Sequence, residues 1–354
     1  MRRPLPVLLF AAMAASPLAL LALGAVLGGL WGYAAALWMG LAAVALDLLL
    51  PFTAEDAAPG SIFPDATFPD ATFPDAALLD AEFPGSEALL RALGLAALLV
   101  LPLLCITLSY RPFDLSALCL ALAAGLWLGQ VGHPVAHELI HRPARLPRAL
   151  GVAIYTSLLI GHHASAHRLV HHAQVGTAQD PNTARAGEGF WHFAARAWAG
   201  SFRAGLRAER ARGSRAYLVY GGGALAALGL AAALAGWAGL ALWLALSAQV
   251  QIQIFLSDYV QHYGLSRALR ADGKPQPVTA AHAWNAGHWA SSALTLNATR
   301  HSDHHLHPSV PYPGLALPHT APRLPWPLPV AACIALYPPL WRRRMQPLLT
   351  AEKS

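Results

Sequence analysis

Apolar residues run through this chain in long blocks, not in the alternating or three-to-four spacing of a water-exposed strand or helix. Six stretches are apolar almost without interruption: roughly 7–28, 31–51, 88–108, 114–134, 216–237 and 239–259. Each comes close to the ~20 residues that a helix needs to cross the hydrocarbon of a bilayer. Very short turns around Gly28–Gly29, Tyr110–Pro112 and Gly236–Gly239 pair them into three hairpins. The pattern predicts an all-α integral membrane bundle of about six transmembrane helices, forming one domain over residues 1–354. Between 52 and 87 the chain turns acidic and carries FPDAT at 63–67 and 68–72, then FPDAA at 73–77. Proline in every unit forbids a continuous helix, and three units are too few for a solenoid, so the stretch reads as a surface loop. From 135 to 215, and again from 260 to 320, the apolar blocks give way to polar chain rich in histidine.

Composition agrees with the blocks. Only 12% of residues are charged, about half the ~25% of soluble domains, too few to cover a protein of this size in water. The net charge of +6 comes mainly from arginines, clustered in Arg196–Arg215 and Arg342–Arg344. Beside membrane segments such clusters mark the cytoplasmic side and not a nucleic-acid surface. With Arg2 and Arg3 inside, the short turns fall outside and the acidic loop and both histidine-rich regions fall inside; Arg111 is the exception. Apolar character continues from the N-terminus to Leu50, too far for a cleaved signal, so the first hairpin is expected to be retained. Cys105, Cys119 and Cys333 lack ligand spacing and read as small buried hydrophobes.

The chemistry lies in the histidines, 17 in all. HELIH sets His137 and His141 four apart, which stacks both rings on one helix face. HRLVHH repeats that spacing with His167 and His171 and adds His172. DYVQHYG supplies His262 at the end of the last apolar block, and HSDHH supplies His301, His304 and His305. HELIH alone also fits a zinc protease with Glu138 as base. Nine imidazoles on one membrane face exceed the three or four ligands of a zinc site and suffice for two metals. Imidazole suits zinc, copper, iron and nickel alike, so spacing does not choose the metal. A neutral shell calls for carboxylates behind the rings to orient them, and Glu138, Asp180, Asp258 and Asp303 stand in or beside the motifs.

These four groups resemble the motifs HELxH, EHxxGHH, NYxEHYG and QRHSDHH of the membrane-bound alkane 1-monooxygenase (alkane ω-hydroxylase) family. That family includes xylene monooxygenases and belongs with the membrane fatty-acid desaturases and hydroxylases. TAQDPNTARAGEGF at 177–190, HAWNAGHWASS at 282–292, ALDLLLPFTAED at 45–56 and YPPLWRRRMQP at 337–347 also resemble family segments. Departures are Ala166 for a Glu, Val170 for a Gly, Gln261 for a Glu and Asp258 for an Asn; none removes a histidine.

The resemblance implies a di-iron monooxygenase of a bacterial inner membrane, with the nine histidines as ligands on the cytoplasmic side. It implies O₂ as co-substrate, hydrogen abstraction from the terminal carbon of an alkane or related apolar molecule, and hydroxyl rebound to a primary alcohol. Substrate would enter from the membrane lipids, with Trp31 and Trp38 as candidate stops along its tunnel. Electrons would come from a rubredoxin-type carrier and its reductase, since the chain has no CxxC pair and no dinucleotide fingerprint. The same machinery in a fatty-acyl desaturase or hydroxylase is the alternative. Among the other histidines, His163, His282 and His288 are candidates for support of the site or for its substrate side, whereas His133, His162, His192, His307 and His319 are not expected to act.

Overall fold

The computed structural model describes residues 6–50, 83–109 and 111–352. The FPDAT repeats lie outside the described residues. Among these, the chain forms helices and no strands.

Five stretches are long and apolar enough to cross a membrane: α1 (Val7–Leu27), α2 (Leu30–Leu49), α3 (Ser86–Ser109), α4 (Leu115–His141) and a 47-residue stretch, α8 (Ala216–His262). Inside α8, Ala235 and Gly236 leave helical geometry, Gly236 at φ 56°. A side chain on Gly239 would run into the carbonyl of Ala231. Eight residues of unbroken helix would hold those two about 12 Å apart, so the chain doubles back and α8 is two arms. The predicted hairpin at 236–239 is therefore present, and the bundle has about six arms. α1 and α2 reverse through Gly28 and Gly29, both at positive φ, where L side chains are strained.

Arg111, the residue that breaks the positive-inside count, caps a helix. Its guanidinium donates to the carbonyls of Gly24 (3.0 Å) and Val26 at the C-terminal end of α1, where free carbonyls and the negative end of the helix dipole favour a cation. Leu8, Leu30, Leu49, Leu99 and Trp237 face outward, as hydrocarbon-facing positions do in a bundle that lipid surrounds.

Two contacts set the depth of the histidines. Gly125 and Gly129 of α4, four apart, leave room for the side chains of Gln249 and Gln253 of α8. Gln253 Nε2 donates to Gly125 O at 2.9 Å and Gln249 Nε2 to Leu122 O at 3.2 Å. Small residues at such spacing let membrane helices approach closely, and buried amides bond across the gap. The second contact is α5 (Arg145–Ser157), which presses Gly151 against the last turns of α4. A Cβ on Gly151 would sit 2.8 Å from Ala136 O and 2.9 Å from Leu139 Cβ. Gly151→Val will therefore destabilise the fold by about 1–3 kcal/mol and shift the turn that carries His137 and His141. Thermal unfolding and metal retention of the variant check this; an unfolding midpoint and a metal content equal to those of the unsubstituted chain would contradict it.

Beyond the spans, residues 163–174 form α6, Phe190–Ala211 α7, Trp289–Leu294 α9, His301–Leu306 α10, Leu328–Ala335 α11 and Pro338–Ala351 α12. Asp47, buried at the end of α2, accepts from Ala290 N (2.7 Å) and Ser291 N (3.1 Å). That carboxylate pins the start of α9 to the bundle and so fixes the chain leading into α10.

Candidate metal centre

HELIH closes α4, HRLVHH lies in α6, His262 closes α8 and HSDHH opens α10. The fold brings all four together. Their nine rings form two groups: His137, His141, His167, His172 and His304, and beside them His171, His262, His301 and His305. Within each group the potential ligand nitrogens all lie within 4.8 Å of one another.

The division departs from simple helix spacing in one place. His167 and His171, four apart, face different groups, and His167 pairs instead with His172. The cause is a widened turn: His172 N–H bonds to His167 O, five residues back, which sets residues five apart on one face and frees His171 for the other. A similar widened turn, Leu128–Gly132, stands just before the HELIH turns of α4. In α10, ordinary helical spacing puts His301 and His305 in one group and leaves His304 to the other.

Neighbouring Nε2 atoms are 2.8 Å apart for His137 and His167, 2.9 Å for His167 and His172, and 3.1 Å for His172 and His304. In the second group the spacings are 3.0 Å for His262 and His301 and 3.1 Å for His301 and His305. Two nitrogens each about 2.1 Å from one cation and at right angles lie about 3.0 Å apart. The groups adjoin, with the rings of His172 and His305 4.8 Å between centroids.

Electrostatics favour a cation here. Burial, then the neighbouring rings, pushes the pKa of His167, His172, His301, His304 and His305 well below the ordinary histidine value. Neutral rings offer lone pairs, and hydrogen bonds among so many converging nitrogens cannot satisfy them all. Among the described residues, the buried Nε2 atoms of His141 and His171 have no hydrogen-bond partner. Residues and vacant lone pairs thus fit two metal ions held by imidazole.

Of the four carboxylates expected behind the rings, Asp180 alone bonds one of the nine among the described residues. Its Oδ2 lies 2.8 Å from His171 Nδ1 and also accepts from Thr183 Oγ1, while Oδ1 accepts from Asn182 N–H. Burial works against charge on His171, but the charge and hydrogen bond of Asp180 outweigh it and raise the ring's pKa above the ordinary value. Asp258 meets Asn182 Nδ2 at 2.6 Å and so stands one residue behind Asp180. Glu138 faces Arg142 at 3.4 Å and accepts from Tyr312 N–H at 3.2 Å, which ties the end of α4 to the 307–316 loop. Asp303 accepts from His307 Nδ1 (2.8 Å) and Ala316 N–H (2.7 Å), holding the other end of that loop.

Sequence reasoning missed the partner of His262. Its Nδ1 lies 3.2 Å from the carbonyl of His282, whose own ring turns away to accept from Thr279 N–H. A backbone acceptor leaves no residue signature. His163 stacks on His167 with centroids 5.5 Å apart and also packs against His133 and Tyr155. His288 is half-buried near Asp47. Gln261, where the resembling motif has Glu, donates from Nε2 to Ala298 O at 2.8 Å, a bond that a carboxylate could not make.

A small cavity adjoins the rings. Pro134, Leu296, Ala298 and Leu315 wall it, Glu138 borders it, and His137 and His304 of one group and His301 of the other open onto it. Leu296 and Asn297 both hold positive φ, 52° and 57°, which costs roughly 1–3 kcal/mol for each such residue. Asn297 Nδ2 donates to Tyr312 O at 2.9 Å and its N–H to Ser292 O at 2.8 Å; these bonds hold the strained pair in place. Trp31 and Trp38 are half-buried on α2 and line no part of this cavity. Met39 O, next to Trp38, receives Gln130 Nε2 at 3.5 Å, seven residues and about 10 Å of helix from His137.

Behind α6 a second cluster braces the surface. Nε and Nη2 of Arg196 each donate to Glu188 at 2.8 Å, and Arg185 N–H and His192 add further bonds. Burial alone would raise the Glu188 carboxyl, but these donors outweigh it and hold its pKa down to about 2 from 4.5. A carboxylate lowered on folding stabilises the fold fully above its unfolded pKa and loses that contribution as pH falls through the folded one. Glu188→Gln will cost about 1–3 kcal/mol at neutral pH and flatten the acid loss of stability between about pH 4.5 and 2. Unfolding midpoints of both chains across that range check it.

The fatty acid desaturase family profile matches residues 115–329. Alkane 1-monooxygenase 2 of Pseudomonas aeruginosa is 30% identical over 241 residues, covering 65% of this chain and 64% of that protein. Alkane 1-monooxygenase of Pseudomonas putida is 31% identical over 247 residues, covering 66% and 60%. The xylene/toluene monooxygenase hydroxylase component of Pseudomonas putida is 30% identical over 245 residues, covering 65% and 63%. The chain thus spans just under two thirds of the length of these relatives.

Proposed function

From the premise that the chain belongs to the fatty acid desaturase family, we propose that it is an integral-membrane di-iron monooxygenase hydroxylating the terminal carbon of an alkane or a related apolar molecule. The observation that carries this reading is the pair of adjoining imidazole groups, each with its ligand nitrogens converging. His137, His141, His167, His172 and His304 would hold one iron, and His171, His262, His301 and His305 the other. When bound, the two ions supply the reductive activation of O₂.

The protein's part is to hold and shape. Asp180 and the His282 carbonyl fix the Nδ1 sides of His171 and His262, so that both present Nε2 inward. Asp258 backs this arrangement through Asn182, and Glu138 and Asp303 hold the 307–316 loop, whose Leu315 lies beside the rings. Pro134, Leu296, Ala298 and Leu315 place apolar side chains beside both groups, and an apolar chain end would have to displace them to reach the rings, a contact that would favour positioning. The substrate would reach it between helices from the lipid, with Trp38 nearer the rings than Trp31 as a stop on its length.

Electrons would come from a rubredoxin-type carrier and its reductase on the cytoplasmic side of a bacterial inner membrane. A surface cavity of about 560 Å³ supports the place of approach: Asp180, bonded to His171, lines it together with Arg185 and Arg267. An acidic carrier would be steered to such arginines.

The test is turnover by the detergent-purified protein with O₂, reduced carrier and either dodecane or a fatty-acyl substrate. Dodecan-1-ol as product supports the proposal. A desaturated or hydroxylated acyl chain, with no alkanol, would move the assignment to the fatty-acyl branch of the family.

A further inference from the structure

Another cavity, of about 530 Å³, is lined by Ile140, Arg168 and Leu169, which neighbour His141 and His167 in the chain. Arg148 of α5, Arg168 of α6 and Arg212, just past α7, line it, and Ser214 and Tyr220 add hydroxyls. Its one carboxylate, Glu209, is already engaged: Ser165 Oγ lies 2.5 Å from it and 2.7 Å from the Tyr220 hydroxyl. Among the described residues, none of the three guanidinium groups has a hydrogen-bond or ion-pair partner. Three positive charges therefore line one cavity against a single carboxylate, Glu209, which acts on Arg168; Arg168 and Arg212 are exposed and Arg148 half-buried, so the excess positive charge is open to an incoming anion.

The surroundings say which anion. Leu146 beside Arg148 is 83% exposed, and Leu218 and Val219, one turn into α8, are 73% and 63% exposed. Leu218 and Val219 begin a membrane-crossing arm, so the cavity opens at the depth where acyl chains end and lipid headgroups begin. Tyr217 and Tyr220 sit at this boundary, as aromatic residues commonly do.

We propose that this cavity binds the phosphate of an anionic membrane phospholipid. Guanidinium forks match phosphate oxygens in geometry and charge. The acyl chains would run down the exposed Leu218 and Val219, and the headgroup would fill the space between Arg148 and Arg212. Because Arg168 follows His167 and stands on the same turn, the bound lipid braces α6 from behind.

Native mass spectrometry of the detergent-purified chain, titrated with a short-chain phosphatidylglycerol, tests this. One lipid will bind first. Arg148→Gln combined with Arg212→Gln will weaken it about 25-fold, roughly fivefold for each charge removed, whereas Arg148→Lys with Arg212→Lys will retain most of the affinity. Arg203→Gln with Arg207→Gln, outside the cavity lining, controls for general charge and will leave affinity unchanged. Phosphatidylcholine of equal chain length will bind at least tenfold more weakly, and inorganic phosphate will not displace the lipid at equal concentration. Unchanged affinity in the Gln variant, an equal loss in the control, equal binding of phosphatidylcholine, or displacement by inorganic phosphate would each overturn the proposal. Arg148 is half-buried and Arg212 exposed, and circular dichroism will verify that the variants fold.

Discussion

His305→Ala will lower the metal content of the purified chain from two ions towards one and reduce turnover by more than about 100-fold. His305 belongs to the group of four, so its loss leaves three rings, whereas His141→Ala in the group of five leaves four. Loss of a partner behind a ligand already costs about 10–100-fold in affinity or activity, and loss of the ligand itself will cost more. The two variants should therefore differ: His141→Ala keeps closer to two ions, and His305→Ala does not. Metal analysis of both, beside the unsubstituted chain, decides the point. Equal retention in the two variants would show that the rings are not divided five and four.

Asp180→Asn will come next in size, with a fall of about 10–100-fold in metal affinity or turnover. The carboxylate accepts from His171 Nδ1 at 2.8 Å and is itself held by Thr183 and Asn182. Asparagine keeps the shape but removes the charge, and its amide can present a donor where the ring also needs an acceptor. The ring then loses the bond that turns its Nε2 inward. Asp258→Asn, one residue further back through Asn182, will have the same sign and a smaller effect. If Asp258→Asn proved the more damaging of the two, the order of support read from the geometry would be wrong. Folding controls are needed for both, since these groups are buried.

Much of this arrangement could be read along the chain, because its strongest signals are local. Apolar block length predicts spans without knowledge of their packing, and the hairpin glycines mark the reversals, Gly236 included. The histidines stand out because each group lies within five or six residues. What joins them is not local. No periodicity predicts the widened turn at 167–171, and ordinary helical spacing pairs His167 with the wrong neighbour. The choice of Asp180 over Glu138, Asp258 and Asp303 as the carboxylate behind a ring depends on which loop folds over which helix. The His282 carbonyl is invisible because every residue has one. Asn297 is a residue type that tolerates positive φ, but Leu296 carries no such signature, and the surrounding bonds hold its backbone there. Arg111 shows the reverse case, where a charge that broke the topological rule has a local cause at the end of α1.

The cavity next to the rings narrows the search for specificity to this chain's own side chains. Leu296 and Leu315 face both imidazole groups, while Trp38 stands farther back along α2. Under the proposed function, bulk at the two leucines would govern which carbon reaches the site, and bulk at Trp38 how long a chain can follow.

Iron and zinc quantification on the unsubstituted, detergent-purified chain tests the central reading most directly. Two irons per chain, with zinc well below one, is the predicted result. A single ion per chain, or zinc in place of iron, would contradict the assignment of nine imidazoles to a pair of irons.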